Sequence, residues 1–548
     1  AGWCIITLDD NNTIKPSEKT GTVTLTAKKN TFTAASVGAH IMLKHDVEAQ
    51  EVTVQGTNSG ESVSASVLAG DGWKVISHGT WTGTFEIQKS DDGTNWRSYR
   101  KYNGKDDYNP AESGNVTEPT YLRAVCNMTS GTCNVSLTAM PWTKEGKAKI
   151  TEYTDAKNVT AVVAEAFGDT TETEEYYFGA WCEEFGYPKT VGFFQDRLCF
   201  GGTKRQPYML WMSRTGDYGN FSVEKVSGTV TDDSAVAIGL VSRKQYQILH
   251  LVPSTDLLIL TAGNEWTISG GSTVTPANVS VRMQTTCGCS SCEPIMADGR
   301  IVFVQGRGST VRDMGYSYDT DSYGGNDLTL LAKHIIQGIK IVDSAYKQEP
   351  DSTLYFVRSD GTMACLAYIL DQKVYAWSTV DTDGNIEAVA AVQEGDEDIV
   401  YVLVKRNIAG QEVRNIECLH NNNAKSNVPN DYIMLDCAVA VSNEIAVDSG
   451  DEIENDDNTA SRIFSVPELA GATVDVLADG REFEDIAVDA DGTFELPAQV
   501  TDVVVGLPYK MVIELPNVEI KVGDGTMQGR FKQVSECTLR LSNSCGGQ

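Results

Sequence analysis

Leu354-Tyr-Phe-Val357, Asp360-Gly361, Met363-Ala-Cys-Leu-Ala-Tyr368 and Val374-Tyr-Ala-Trp377 read in that order as a strand, a tight turn, a returning strand and a further strand. Short apolar strands of the same kind recur at Arg197-Leu-Cys-Phe200, Leu257-Leu-Ile-Leu260, Ile301-Val-Phe-Val304 and Ile399-Val-Tyr-Val402. Each is followed by a Gly-bearing or charged turn and another strand. Intervals of roughly 45–60 residues suit four-stranded propeller blades. The fold expected is therefore mainly β, with a β-propeller-like core over residues 143–425. Five units are visible, and a closed propeller often needs more, so an N-terminal part of the propeller is expected to be missing. The start at Ala1, without Met and inside a strand-like stretch, fits a true N-terminus upstream.

Working outward, residues 1–142 alternate as half-buried strands do, in Gly21-Thr-Val-Thr-Leu-Thr26 and Ser62-Val-Ser-Ala-Ser-Val67. Gly79 to Ser90 reads as a strand that turns at Asp91-Asp92-Gly93 and resumes at Trp96. Tyr121–Val125 and Cys133–Leu137 would close a small barrel or sandwich ending at Pro141. After Asn421-Asn-Asn423, residues 426–548 form an expected C-terminal β-domain. Its strands are Ala472–Leu477, Val503–Val505 and Met511–Leu515, with hairpin turns at Asp479-Gly480 and Asp491-Gly492. The acidic run Asp448–Asp457 reads as a solvated loop.

The chain has 548 residues, 41% hydrophobic and 22% charged, with 49 Gly and 21 Tyr, which favours short strands and tight turns. Its 75 acidic against 44 basic residues give a formal net charge of −31. Such a surface does not attract phosphate, since phosphate binding needs Lys and Arg to displace counterions. The plain reading is solubility; the functional one is an acidic wall along which DNA slides without sticking. No run of about 18 apolar residues implies a membrane span, so no stable membrane insertion is expected. No signal peptide is visible.

Catalytic motifs are lacking: no Gly-x-Ser-x-Gly elbow, phosphate loop or His-Glu-x-x-His pair occurs. Gly306-Arg-Gly308 lacks a third glycine and reads as a turn. Among the 13 cysteines, Cys287, Cys289 and Cys292 lie close enough for zinc, but a tetrahedral site needs a fourth ligand. Free thiols or a local disulfide are the reading preferred to a metal. Asp232-Asp233, with Asp217 upstream, could do acid–base work but reads better as a polar turn. Ser90-Asp-Asp92-Gly-Thr-Asn-Trp96 is a shortened single copy of a sialidase-type Asp box, read as a hairpin pinned by its Trp. No cofactor is required.

Phe193-Phe-Gln-Asp-Arg-Leu-Cys-Phe-Gly-Gly-Thr203, then Gln206-Pro207 and Leu210-Trp-Met-Ser-Arg-Thr-Gly-Asp-Tyr-Gly-Asn-Phe221, closely resemble the signature of podophage tail nozzle proteins, also called tail tubular protein B. Gly186-Tyr-Pro188, Leu257–Trp266, Asp327–His334, Asp360-Gly-Thr-Met363, Val374–Ser378, Arg414–Glu417, Val505–Tyr509 and Gln528–Lys532 follow in the same order. The opening region resembles the domain labelled FCCH-like in these phage proteins. The resemblance implies a structural virion protein of the phage tail, assembled in the host cytoplasm. It also implies a homohexameric ring below the portal and adaptor, with tail fibres as possible neighbours and DNA as passing cargo.

Within that resemblance the architectural residues are Arg197, Trp211, Ser213, Arg214, Gly216, Asp217, Phe221, Trp266 and Trp377. The tryptophans are expected in the propeller core, and Arg197, Arg214 and Asp217 in an ion-pair network fixing blade geometry. The competing class is a carbohydrate-binding or glycan-degrading tail protein that recognises the host surface.

Overall fold

Thr22–Ala27 carries Val23, Leu25 and Ala27 on one side and three threonines on the other; the first set is buried and the second exposed. Extended backbone puts successive side chains on opposite faces, so this alternation fixes which side of the strand meets the core. The computed structural model describes residues 5–6, 11–104, 109–223, 230–420, 433, 435–441, 461–508, 531, 533 and 535–538. Within them the protein is mainly β, and the only α-helical turn is Lys333–Ile336. The strand expected at Met511–Leu515, the junction Asn421–Asn423, the acidic run Asp448–Asp457 and nearly all of Gln528–Lys532 lie outside the described residues. The chain divides into two units, Ala1–Lys405 with Arg414–Leu419, and Arg406–Val413 with His420–Gln548.

Four meandering four-stranded sheets and a fifth sheet make the propeller-like part of the first unit. We number them as blades. Blade one spans Thr190–Phe194 to Val236–Gly239, blade two Ile248–Pro253 to Ser280–Thr285, and blade three Ile295–Ala297 to Ser322–Gly324. Blade four spans Ile341–Lys347 to Val374–Val380, and blade five is built on Asn385–Glu394 paired with Glu397–Ile408. The second strand of blade two explains the stacking. Leu257–Thr261 is buried at all five positions, but its side chains serve two cores. Leu257 and Ile259 pack with Cys199, Leu210 and Met212 of blade one. Leu258 and Leu260 pack with Ile301, Phe303 and Met314 of blade three.

The same division repeats along the series. Val302 and Val304 face Leu354, Phe356 and Leu366 of blade four, whereas Val357, Met363 and Cys365 face Val400, Val402 and Val404 of blade five. A continuous apolar run is what a strand needs when both of its sheet's faces are covered. Each such Leu, Val or Phe contributes about 1.5–3 kcal/mol by leaving water.

The other face of blade one meets a seven-stranded sheet whose strands come from Ile5–Ile6 through Tyr176–Gly179. Trp142–Tyr153, which begins where the sequence suggested a boundary, pairs with His40–Val47 on one side and Asn158–Glu165 on the other. Between His40–Val47 and Trp142–Tyr153, strands from Gln50–Gly56 to Cys133–Ala139 form two further sheets enclosing Trp73, Trp81 and Phe85. The expected sandwich is present as this insertion, and Pro141 ends it without ending the sheet that holds it.

In the second unit, Asp436–Val441, Val503–Leu507, Thr473–Ala478 and Arg481–Ala487 lie side by side in that order. Phe464 stacks on Phe494 at 5.7 Å in their core. Asp479 and Gly480, both at positive φ, join a true hairpin as expected. Asp491-Gly492 is a turn, but the strand after it, Thr493–Val500, pairs with Ser461–Ser465 instead of closing a hairpin.

Candidate functional site

The strongest motif folds around a buried cation. Thr190–Phe194 and Arg197–Gly201 form a hairpin whose turn residues, Gln195 and Asp196, both take positive φ (46° and 57°). Arg197 then points inward and is fully buried. Its Nη1 donates to the carbonyls of Ser213 and Ser234, both at 2.7 Å, and its Nη2 to that of Asp232 at 2.9 Å. Burial lowers its pKa from the ordinary arginine value. Three backbone oxygens replace lost water, so one guanidinium ties together the ends of three chain segments.

Ser213 completes the clasp. Its Oγ accepts from the Leu198 amide at 2.9 Å and donates to the Arg214 carbonyl. Arg214 reaches Asp233 at 2.6 Å, and bonds from Thr231 and then Arg214 hold the Asp233 carboxyl down to about 2. The ion-pair trio expected of Arg197, Arg214 and Asp217 is thus replaced. Arg197 takes carbonyls, Arg214 takes Asp233, and exposed Asp217 serves through its backbone, which bonds Arg214 and Asn220. Gly216, at φ +70°, lets its amide reach the Asp196 carbonyl at 2.9 Å.

Trp211 and Phe221 lie in the core between blade one and the seven-stranded sheet. Trp181 stands at its centre, 5.8 Å from Trp211, 5.0 Å from Phe221 and 4.9 Å from Phe200. The sequence reading missed Trp181; a tryptophan five residues before Gly186-Tyr-Pro188 was the available signal. Trp266 is buried between blades one and two, with its Nε1 donating to Asn264 at 2.8 Å. Trp377 is half-buried over Phe356 and donates to the Leu328 carbonyl at 2.9 Å, bridging blades four and three.

The other constellations resolve into packing and turns. Cys289 enters the core between blades two and three, and Cys292 the next core along, where its Sγ lies 3.3 Å from Ser344 Oγ. Burial pushes both thiols above the usual range. Cys287 is half-buried, and no group of three or more His, Cys, Asp or Glu suited to a metal occurs among the described residues. Glu265, fully buried, was not singled out by sequence. It accepts from Thr285 Oγ1 and the Cys287 amide, and burial raises its pKa. Asp92 binds Ser90, Thr94 and Asn95 of its own turn, while Trp96 lies under Arg123 at 4.2 Å.

A stack of sheets whose most elaborate polar site is turned inward onto backbone oxygens belongs to an architectural β-protein. The chain belongs to the bacteriophage nozzle protein family, which it matches over residues 189–544. It is therefore a structural component of the phage tail. No curated protein matches it. Solved structures that align with it include a protein from Lactobacillus plantarum, at 11% identity and TM-score 0.27, over 50% of this chain and 81% of that one. A chain from the structure of Kap60 bound to yeast RCC1 aligns at 10% and 0.23 over 38% and 54%. A luciferin-regenerating enzyme aligns at 12% and 0.19 over 40% and 81%.

Proposed function

We propose that this chain is one subunit of a homohexameric nozzle ring. The ring attaches below the portal and adaptor, next to any tail fibres, and extends the channel through which phage DNA is ejected. The observation that carries this reading is the family match, which covers the blades, taken with how those blades are locked. Each shares a core with the next, and closed cyclic symmetry turns one such rigid wall into a tube. The subunit performs no catalytic step and needs no cofactor. A net charge of −31 suits a passage that DNA crosses without being held. Assembly takes place in the host cytoplasm, and the inserted sandwich is the FCCH-like module.

Co-sedimentation of the purified chain with a portal–adaptor assembly tests the proposal. Saturation at a fixed number of copies supports it. A chain that ignores the adaptor and binds host polysaccharide overturns it in favour of the receptor class. Asp92 lends that class no support of its own, because its carboxylate serves its own turn, accepting from Ser90, Thr94 and Asn95.

A further inference from the structure

The turns of the blades fall on two opposite rims, one acidic and the other basic beside blades one to three. Antiparallel meanders put the first and third turns of each blade at one end, and the second turn and the inter-blade connection at the other. Backbone bonds confirm the grouping. At one rim Gly216 reaches Asp196 and Asp398 reaches Glu349. At the other, Ile248 reaches Pro207, Gly306 reaches Gly288 and Ile341 reaches Gly308. Every first turn carries an acid: Asp196, Asp256, Asp298, Asp351 and Asp396. The third turns add Asp217, Asp319, Asp321 and Asp371, against Lys373 and an Arg214 already paired with Asp233. The opposite rim, across blades one to three, carries Lys204, Arg205, Arg243, Lys244 and Arg307 against Glu293 and Asp327, while the connection entering blade one adds Lys189 with Glu183 and Glu184. Beyond blade four that rim becomes acidic at Asp381 and Asp383, so its basic side is the side of blade one.

That basic side also has a cavity of about 430 Å³, lined by Tyr187, Lys189, Lys204, Pro207 and Gln247. Gly186 permits it: a Cβ there would sit 2.7 Å from Lys204 Cβ, on backbone already at φ +83°. Lys189 and Lys204 are exposed, and neither has an ion-pair partner among the described residues. On the acidic rim the third turn of blade three presents Tyr318, 89% exposed, immediately before Asp319 and three residues before Asp321. This tip is braced from within, since Tyr316 donates to Asp321 at 2.8 Å and packs edge-on against Tyr323. A fixed aromatic knob beside two carboxylates complements a cavity beside two ammonium groups.

We propose that the Tyr318 tip of one copy docks into the Lys189/Lys204 cavity of a second copy, joining acidic rim to basic rim. The contact is head-to-tail, so it generates a ring when the rotation closes; it rests on the ring reading above and names the surface that builds it. A single chain cannot close this contact on itself, because the two halves lie on opposite rims.

Native mass spectrometry of the full chain, in low and high salt, tests it with two variants. One carries Lys189→Glu with Lys204→Glu; the other carries Asp319→Lys with Asp321→Lys. All four positions are exposed, and melting curves matching the unaltered chain verify folding. Each variant alone should weaken self-association at least about tenfold. The second reduces the net negative charge, so loss of assembly there opposes what general repulsion would give. An equimolar mixture should assemble again, because each cavity then meets a tip of opposite sign, and only even-numbered closed rings should form. Variants that assemble like the unaltered chain, or a mixture that stays apart, overturn the docking while leaving the ring reading intact. A Lys189/Lys204 variant that loses duplex DNA binding with assembly unchanged overturns it in favour of DNA. An unaltered chain that stays monomeric, alone and with the portal–adaptor assembly, overturns both.

Discussion

Leu257–Thr261 and Thr22–Ala27 are both short antiparallel strands of the same unit, yet one is buried at every position and the other at alternate ones. The first belongs to a sheet with a neighbour on each face, the second to a sheet that turns one face to water. This difference separates a series of mutually supporting blades from a sheet with a single inner side. It also explains why Arg197 can be buried without a carboxylate. Blade one is covered on both faces, and the guanidinium binds the chain ends that this covering leaves without water.

The largest way to break the comparison is Arg197→Met. It leaves the carbonyls of Ser213, Ser234 and Asp232 unpaired in a covered site, and should cost about 3–5 kcal/mol in chemical denaturation. Leu258→Ala comes next. It opens a cavity in the core between blades two and three, and about 2–5 kcal/mol should be lost.

Glu265→Gln sharpens the contrast in the opposite direction. Burial raises the Glu265 pKa, so the folded state holds this proton more tightly than the unfolded one. The stability it contributes is present at low pH and is lost as pH rises from the ordinary glutamate range through the raised value. The variant should therefore melt higher than the unaltered chain at neutral pH, and the gap should close near pH 4. Thr24→Ala, on the open face of its strand, should change stability by less than about 0.5 kcal/mol. A large loss there would mean that this face is also covered.

How much of this could be read beforehand depended on how local the signal was. The blades were legible because Leu257–Leu260 and Ile301–Val304 announce two-faced burial within four residues. The Asp479-Gly480 hairpin was legible because its turn chemistry is local. The pairing of Trp142 with Val47 was not, because it joins strands separated by the whole inserted sandwich. The Arg197 clasp was legible only as a cluster of polar residues. Its partners are backbone carbonyls, which every residue offers, and the side chain at position 232 does not mark its carbonyl as a ligand. The Cys287, Cys289 and Cys292 spacing looked chemical because sequence distance does not reveal that Cys289 and Cys292 enter different cores.

Particle imaging of the chain assembled on the portal–adaptor complex tests the central claim most directly. The account predicts six copies around an opening wide enough for duplex DNA, with the blades of each copy forming one continuous wall. A single copy bound without an opening, or blades separated from one another in the assembled state, would contradict it.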